Sequence, residues 1–221
     1  MTIQWLGHAC FKITENGYSI VIDPYDSNFV EGYPKLDVSA DMVLVSHNHA
    51  GHNFTKGVKL SGKSKNECPF EIESFEVDHD SVGGIMRSHC TVHILTANGI
   101  KVAHMSDIGT QLNGGEITKL INCDAMMATA GSLTGLPSQE IRRIYDETMP
   151  TVLIPMHYRD GDRGPRRLEQ IKDLVNQFET PEFFTYYDTD TIEITGNEYP
   201  RVAVLKYMGS SVRSQFPKFR R

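Results

Sequence analysis

Three histidines stand close together in the segment Ser46-His47-Asn48-His49-Ala50-Gly51-His52-Asn53. Neutral imidazole is the commonest protein ligand for metal ions, so this spacing points to metal binding. Residues i and i+2 of an extended chain project to the same side, which lets His47 and His49 converge on one ion. A turn after His49 would bring His52 back toward the same cavity. A histidine-rich surface loop and backbone-bonded core histidines are the alternatives, and the spacing favours the metal site.

Three further candidates share one kind of position, because each follows an apolar, strand-like run. His79 comes after the run that ends at Asp78, Asp107 after the run through Met105, and His157 after Val152-Leu153-Ile154-Pro155-Met156. A lone histidine after a strand is more often structural, and an aspartate near glycine is commonly a turn former. Functional groups of α/β folds collect at strand ends, however, so the shared position favours one common site.

The runs around these residues predict the elements that position them. Period-2 and continuous apolar patterns predict strands at 2–6, 9–14, 18–23, 41–46, 70–78, 88–97, 100–105, 123–129, 151–156, 183–187, 191–195 and 201–207. Helical spacing predicts helices at 114–121, 138–148 and 166–178. The pairs Asn16-Gly17 and Asn98-Gly99 predict tight hairpin turns. We expect loops over 26–40 and 61–69, and we expect the strand at 41–46 to be buried on both faces.

The order of these elements predicts one α/β domain over residues 1–221. The first half is mostly β and the second half alternates helix and strand, with no linker and no repeat of fixed period. A chain of 221 residues is long enough to bury a substantial core. Two sheets with helices outside them are the simplest arrangement that buries all the apolar faces.

Charge and composition narrow the class of protein. A net charge of −6 argues against a general nucleic-acid binder, which needs a basic surface to displace phosphate counterions. The cysteines are far apart and form no C-x-x-C pair, as is typical of reduced, intracellular proteins: Cys10, Cys68, Cys90 and Cys123. We see no signal peptide and no apolar stretch long enough to cross a membrane, so we expect a cytoplasmic protein without membrane association.

Together these motifs resemble the metallo-β-lactamase superfamily, whose hallmark is His-x-His-x-Asp-His followed by later His, Asp and His ligands. The finer resemblance is to the branch of the ascorbate-6-phosphate lactonase and related metal-dependent hydrolases. The matching stretches occur in the family's order: Trp5-Leu6-Gly7-His8-Ala9, Ile22-Asp23-Pro24, His104-Met105-Ser106-Asp107-Ile108-Gly109 and Ile154-Pro155-Met156-His157-Tyr158. The resemblance implies an αββα sandwich of two mixed β-sheets with outer helices and a metal site at the sheet edges.

The resemblance also implies roles for individual residues. His47, His49 and His79 would hold a first divalent metal ion, and His52 and His157 would help to hold a second. Asp107 would bridge the two ions, so Asp107 and His157 would be catalytic as well as ligating. Asp23 resembles the family's acid after the third strand and would support a ligand from outside the ligand set, with a simple Asp-Pro turn as the alternative. For His8 the alternatives are a place at the mouth of the site and a structural role. Zinc is favoured, with manganese and iron as alternatives.

The chain departs from the family motif at Gly51, which stands where the motif has Asp. Glycine has no side chain to offer, so we expect a weakened second metal site that still has three protein ligands. Asp80, next to His79, is a candidate substitute ligand.

The resemblance implies a hydrolase that uses metal-activated water on a small ester, lactone or phosphoester. The alternative is a catalytically impaired metal-binding, ligand-binding or regulatory protein on the same fold, which the loss of Asp at position 51 supports. Arg87, Tyr158 and Arg159 would meet an anionic small-molecule substrate. The sequence leaves the oligomeric state open, including a homo-oligomer.

Overall fold

A computed structural model describes residues 1–61, 67–132 and 135–209, so the predicted loop at 61–69 and the predicted domain 1–221 lie partly outside the described residues. The strands are β1 Thr2–Gly7, β2 Cys10–Glu15, β3 Tyr18–Ile22, β4 Val38–Ala40, β5 Met42–Leu44, β6 Val58–Leu60, β7 Glu71–Asp78, β8 His89–Ala97, β9 Ile100–His104, β10 Ala125–Thr129, β11 Val152–Met156, β12 Phe184–Tyr186, β13 Thr191–Glu193 and β14 Arg201–Val204. The α-helices are α1 Gly114–Leu120, α2 Ser138–Thr148 and α3 Ile171–Val175, and short 3-10 helices span Thr55–Gly57 and Pro181–Phe183.

The first large sheet has five strands in the order β13-β1-β2-β3-β5. Strands β2 and β3 are joined at Asn16 and Gly17, whose φ angles of 49° and 78° give the predicted tight turn. Strand β2 is antiparallel to both β1 and β3, and β3 is parallel to β5. The carboxyl ends of β1, β3 and β5 therefore lie at one edge of this sheet.

The second large sheet has seven strands in the order β12-β14-β11-β10-β9-β8-β7. Strands β9, β10 and β11 are mutually parallel, whereas β8 is antiparallel to both β7 and β9. The carboxyl ends of β7, β9 and β11 consequently share one edge too.

The main core lies between the two large sheets. Large side chains from both sheets are almost fully buried in one cluster, among them Trp5, Phe11, Leu95 and Ile154. Burying each such side chain contributes roughly 1.5–3 kcal/mol. A buried hydrogen bond also joins the two sheets: Nε2 of His104, at the end of β9, donates to the carbonyl oxygen of Ala9 at 2.9 Å.

The helices pack on the outer face of the seven-stranded sheet. Helix α2 contacts β10 and lies against both α1 and α3. It has the bounds predicted from sequence and buries Ile141 and Ile144. The helix ends at Met149, which has a φ of 48°, and Pro150 follows. Residues 1–61, 67–132 and 135–209 contain no helix long and apolar enough to cross a lipid bilayer.

The outer face of the five-stranded sheet is covered differently. A second apolar cluster there joins Leu6, Val21, Tyr25 and Tyr33 with Val58. The loop predicted over 26–40 is partly strand, because Val38–Ala40 pairs with Val58–Leu60 in a small parallel sheet. This pairing links segments far apart in the chain, and the local pattern does not show it.

Two other predictions are wrong. The helix predicted over 166–178 is limited to α3, Ile171–Val175. It begins only after Gln170, which caps it, because Leu168 and Gln170 form β-bridges with Ser132 and Arg159. The strand predicted over 41–46 is only Met42–Leu44, and it is half-buried rather than buried on both faces. Its position explains the difference, since β5 is the last strand of its sheet.

Candidate metal centre

Six strands deliver polar side chains to one place. In the five-stranded sheet, His8 follows β1, Asp23 follows β3, and the segment 46–53 follows β5. In the seven-stranded sheet, His79 follows β7, Asp107 follows β9, and His157 follows β11. The two sheet edges described above therefore face each other across the site. The N–H of His157 donates to the carbonyl oxygen of His8 at 3.0 Å, which ties the two edges together.

The predicted turn after His49 is present, because the N–H groups of His52 and Asn53 both donate to its carbonyl oxygen, at 2.8 and 3.0 Å. His52 thereby returns to the interior beside His47, with the two ring centroids 4.1 Å apart. The first three ligands predicted from sequence also converge. One ring nitrogen from each of His47, His49 and His79 lies within 4.8 Å of the others.

Hydrogen bonds at Nδ1 leave Nε2 as an acceptor in two rings of this first group, those of His47 and His79. Nδ1 of His79 donates to the Asp107 carbonyl oxygen at 2.5 Å. Nδ1 of His47 lies 2.9 Å from Oγ of Ser46, whose hydroxyl donates to Oδ2 of Asp23 at 2.6 Å. In both rings the bond at Nδ1 leaves a lone pair on Nε2, and both Nε2 atoms are buried without a partner.

A second group contains His8, His52 and His157, and one ring nitrogen of each lies within 4.8 Å of the others. Asp107 lies between this group and the first. Its Oδ2 is 3.2 Å from Nε2 of His52 and 3.3 Å from Nε2 of His157. Its Oδ1 is buried without a hydrogen-bond partner. The carboxylate thus contacts two rings of the second group through one oxygen and leaves the other oxygen unpaired.

The Asp23 carboxylate accepts hydrogen bonds from residues of the segment that carries His47 and His52. Its carboxylate accepts from the backbone N–H and hydroxyl of Ser46, at 2.7 and 2.6 Å, and from Nδ1 of His52 at 2.9 Å. Asp23, His47 and His52 also lie close enough to bind an ion together. The Asp23 oxygens are therefore already engaged by three donors of the surrounding fold.

Burial and neighbouring charge fix the ionisation of the site. Burial lowers the pKa of His47 to about 3 and that of His157 to about 4, so both rings are neutral near pH 7. Burial also lowers the pKa of His52, but the carboxylates of Asp107 and Asp23 outweigh it and raise that pKa to about 10. Burial opposes ionisation of Asp107, yet His157 and His52 hold its pKa well below the usual range.

The backbone at the site is strained in a consistent way. Four non-glycine residues have left-handed φ angles: His8 at 54°, Asp23 at 51°, Ser106 at 56° and His157 at 50°. Such conformations are unfavourable for L-residues and cluster at functional sites, where the surrounding fold enforces them. Here each one turns the chain sharply at the end of a strand.

An open cavity of about 590 Å³ lies over the cluster. Its floor includes His49, His52 and Asp107, and Phe29 and Met86 line its apolar parts. Arg87 and Arg167 line it as well. The sequence indicates Arg87 as a candidate but not Arg167, because the apolar spacing around Arg167 predicts a regular helix.

Three other sequence candidates make contacts with other parts of the fold. The carboxylate of Asp80 accepts from four backbone N–H groups between Val82 and Arg87 at 2.7–3.0 Å, so it folds that loop. Tyr158 is buried and its ring stacks on Trp5, 5.5 Å between centroids. Arg159 donates from Nε to the Gly161 carbonyl oxygen at 3.1 Å.

The side chains fit a metal centre on chemical grounds. Buried polar atoms normally have hydrogen-bond partners, so each orphan needs an explanation. Here several orphans are ring nitrogens or a carboxylate oxygen of one cluster, and they belong to His8, His47, His79, Asp107 and His157. Imidazole nitrogen and carboxylate oxygen are the donors that zinc, manganese and iron share.

A family model described as a beta-lactamase superfamily domain matches residues 2–157. The chain belongs to this superfamily, and its two mixed sheets have the metallo-β-lactamase fold. The matched region includes every one of the predicted ligands, since it begins before His47 and ends at His157.

Relatives of similar length exist in archaea and bacteria. The chain is 25% identical to a UPF0173 metal-dependent hydrolase from Methanopyrus kandleri over 77% of its own length and 93% of the relative. It is 23% identical to a UPF0173 metal-dependent hydrolase from Natranaerobius thermophilus, over 88% of this chain and all of the relative.

Solved structures show the same fold at lower identity. A metallo-β-lactamase superfamily protein from Thermotoga maritima matches with a TM-score of 0.70 and 24% identity, covering 92% of this chain and 97% of that one. An isothiocyanate hydrolase from Delia radicum gut bacteria matches with a TM-score of 0.63 and 11% identity, covering 89% and 100%. At such identities the likeness concerns the fold alone.

Proposed function

We propose that this chain is a metal-dependent hydrolase that acts on a small anionic ester, lactone or phosphoester. The observation that carries the proposal is the set of buried, unpartnered ligand atoms below an open cavity with arginines in its lining. The names of the UPF0173 relatives support the hydrolase assignment. Zinc is the favoured ion because the donors are mostly imidazoles.

Two groups of side chains would hold the ions. His47, His49 and His79 would bind the first, and His52 and His157 would contribute to the second, with Asp107 shared between them. When bound, such ions lower the pKa of water and stabilise negative charge that develops on a substrate oxygen. The depressed pKa values of His47 and His157 keep their rings neutral, so neither ring has to lose a proton to become a ligand.

Arg87 and Arg167 would orient the substrate. Guanidinium groups bind carboxylate and phosphate through paired N–H donors, and both arginines line the cavity together with His157. A substrate whose anionic group lies against the arginines would present its ester, lactone or phosphoester group to the metal cluster. The exposed side chains of Phe29 and Met86 would contact the apolar part of the substrate.

The test combines metal content with turnover. Protein purified without an affinity tag is compared with His47→Ala and His79→Ala, and with His89→Ala, which removes an exposed histidine outside the cluster. The readouts are zinc per chain by elemental analysis and hydrolysis of bis(p-nitrophenyl) phosphate, p-nitrophenyl acetate and δ-valerolactone. We expect each ligand variant to lose zinc affinity by at least about 100-fold and to lose turnover, with His89→Ala unchanged.

Two results would count against the proposal. Full zinc occupancy in His47→Ala would show that the metal lies elsewhere. Stoichiometric metal without turnover on any substrate class would favour the alternative of a ligand-binding or regulatory protein, which the absence of a carboxylate at Gly51 supports.

A further inference from the structure

His8 occupies a turn between β1 and β2 that aims its ring into the cluster. Its side chain is buried and its φ is 54°. The carbonyl oxygen of His8 accepts from Nε1 of Trp5 and from the backbone N–H of His157, both at 3.0 Å. With the backbone fixed from two sides, the ring has little freedom to leave the site.

The ring fills the space beside Gly51. A Cβ atom built on Gly51 would lie 3.0 Å from Nε2 of His8 and 3.5 Å from Cδ2 of the same ring. Any side chain at position 51 would therefore start in contact with this imidazole. The His8 ring thus lies where the side chain of a residue at position 51 would otherwise extend.

The same ring completes a set of three donors. A ring nitrogen of His8 lies within 4.8 Å of ligand nitrogens of His52 and His157, and the His8 ring centroid is 4.2 Å from that of His157. Nδ1 atoms of both His8 and His157 are buried without a hydrogen-bond partner. A lining or purely structural role leaves the buried Nδ1 of His8 without a partner, whereas coordination through that nitrogen would supply one.

We propose that His8 is a ligand of the second metal ion and takes the place of the carboxylate that position 51 lacks. The inference rests on the metal centre of the proposed function. It replaces the expectation of a site merely weakened at Gly51 with one completed by a third imidazole. Exchanging an anionic oxygen for a neutral nitrogen shifts the preference of this site toward zinc and away from manganese.

The experiment exchanges the two donors. Five proteins are equilibrated with zinc at buffered free concentrations: tag-free wild type, His8→Ala, Gly51→Asp, the double variant His8→Ala/Gly51→Asp and the control His89→Ala. Zinc per chain and the two stepwise dissociation constants are measured by chelator competition, without reference to turnover. Circular dichroism and thermal unfolding report on the fold of each metal-free protein.

We expect about two zinc ions per wild-type chain and about one in His8→Ala, with the tighter constant preserved. The double variant should regain the second ion, because Asp at position 51 then has both the room and the carboxylate. Gly51→Asp alone should bind the second ion less well than the double variant, since its Cβ displaces the His8 ring. Rescue by a different residue at a different position would exclude a merely structural role for His8.

Two zinc ions at unchanged affinity in His8→Ala would overturn the inference and leave the proposed function standing. Loss of the second ion from His8→Ala without recovery in the double variant would overturn it too, since His8 would then act only through the fold. No zinc in the wild-type protein would instead defeat the proposed function itself.

Discussion

Nδ1 of His52 donates to Oδ2 of Asp23 at 2.9 Å, while Nε2 of the same ring points at Oδ2 of Asp107, 3.2 Å away. The His52 ring thus lies between the carboxylates of Asp23 and Asp107 and contacts both. The Asp23 side chain also accepts from Ser46, which in turn faces His47. A single buried carboxylate therefore orients one histidine from each of the two ligand groups.

Asp23→Asn should weaken metal binding while preserving the volume of the side chain. An amide accepts the hydrogen bonds of Ser46 and His52 less strongly than a carboxylate does, and lost partners of this type cost about 10–100-fold in metal affinity. Zinc affinity by chelator competition is the measurement. Asp37→Asn, which removes an exposed carboxylate paired with Lys59, is the control. Equal affinity in Asp23→Asn and wild type would refute the orienting role.

Arg167→Ala should impair anionic substrates and spare neutral ones. Hydrogen bonds to charged groups contribute about 1.5–3 kcal/mol, so kcat/KM for an anionic ester should fall roughly 10–100-fold. A neutral ester of the same leaving group and unchanged zinc content are the controls. Equal losses on both substrates would mean that Arg167 does not select for charge.

His93→Gln should reduce the loss of stability in acid. Burial and the neighbouring His104 lower the pKa of His93 in the folded protein. The unfolded chain therefore takes up a proton as the pH falls below about 6.5 while the folded chain does not, so folding becomes less favourable below that pH. Glutamine can replace the contacts with Ser74 and the Val45 carbonyl oxygen but takes up no proton.

Urea unfolding between pH 7 and pH 5 measures this effect. The slope of the unfolding free energy should be smaller in His93→Gln by up to about 1.4 kcal/mol per pH unit, the value for one proton. Parallel curves for the two proteins would show that His93 does not contribute to the acid sensitivity.

Gly109→Ala should destabilise the fold, because a Cβ there would lie 2.3 Å from backbone atoms of both His79 and Asp80. The loops after β7 and β9 would have to separate, at a cost of at least about 2 kcal/mol. Gly114→Ala is the matched control, since nothing lies within 4 Å of its Cβ and it begins helix α1. A similar unfolding free energy for both variants would show that close packing at Gly109 is unimportant.

Local pattern was enough to predict most elements around the site. Helix α2 and the strands that precede His79, Asp107 and His157 are present close to their predicted bounds, because period and turn residues are local properties of the chain. The helix predicted over 166–178 is largely absent, since bridges from that segment to Ser132 and Arg159 replace helical bonds. An apolar stripe alone does not show such long-range pairing.

The sequence by itself determined the donor chemistry and the superfamily, because both depend on residue types and spacings along the chain. Only the tertiary structure decided which donors meet. His8 and Gly51 are distant in sequence but contact each other because the turn after β1 and the segment after β5 lie at the same sheet edge. Strand order and register bring them together, and these follow from the packing of the whole core rather than from any local motif.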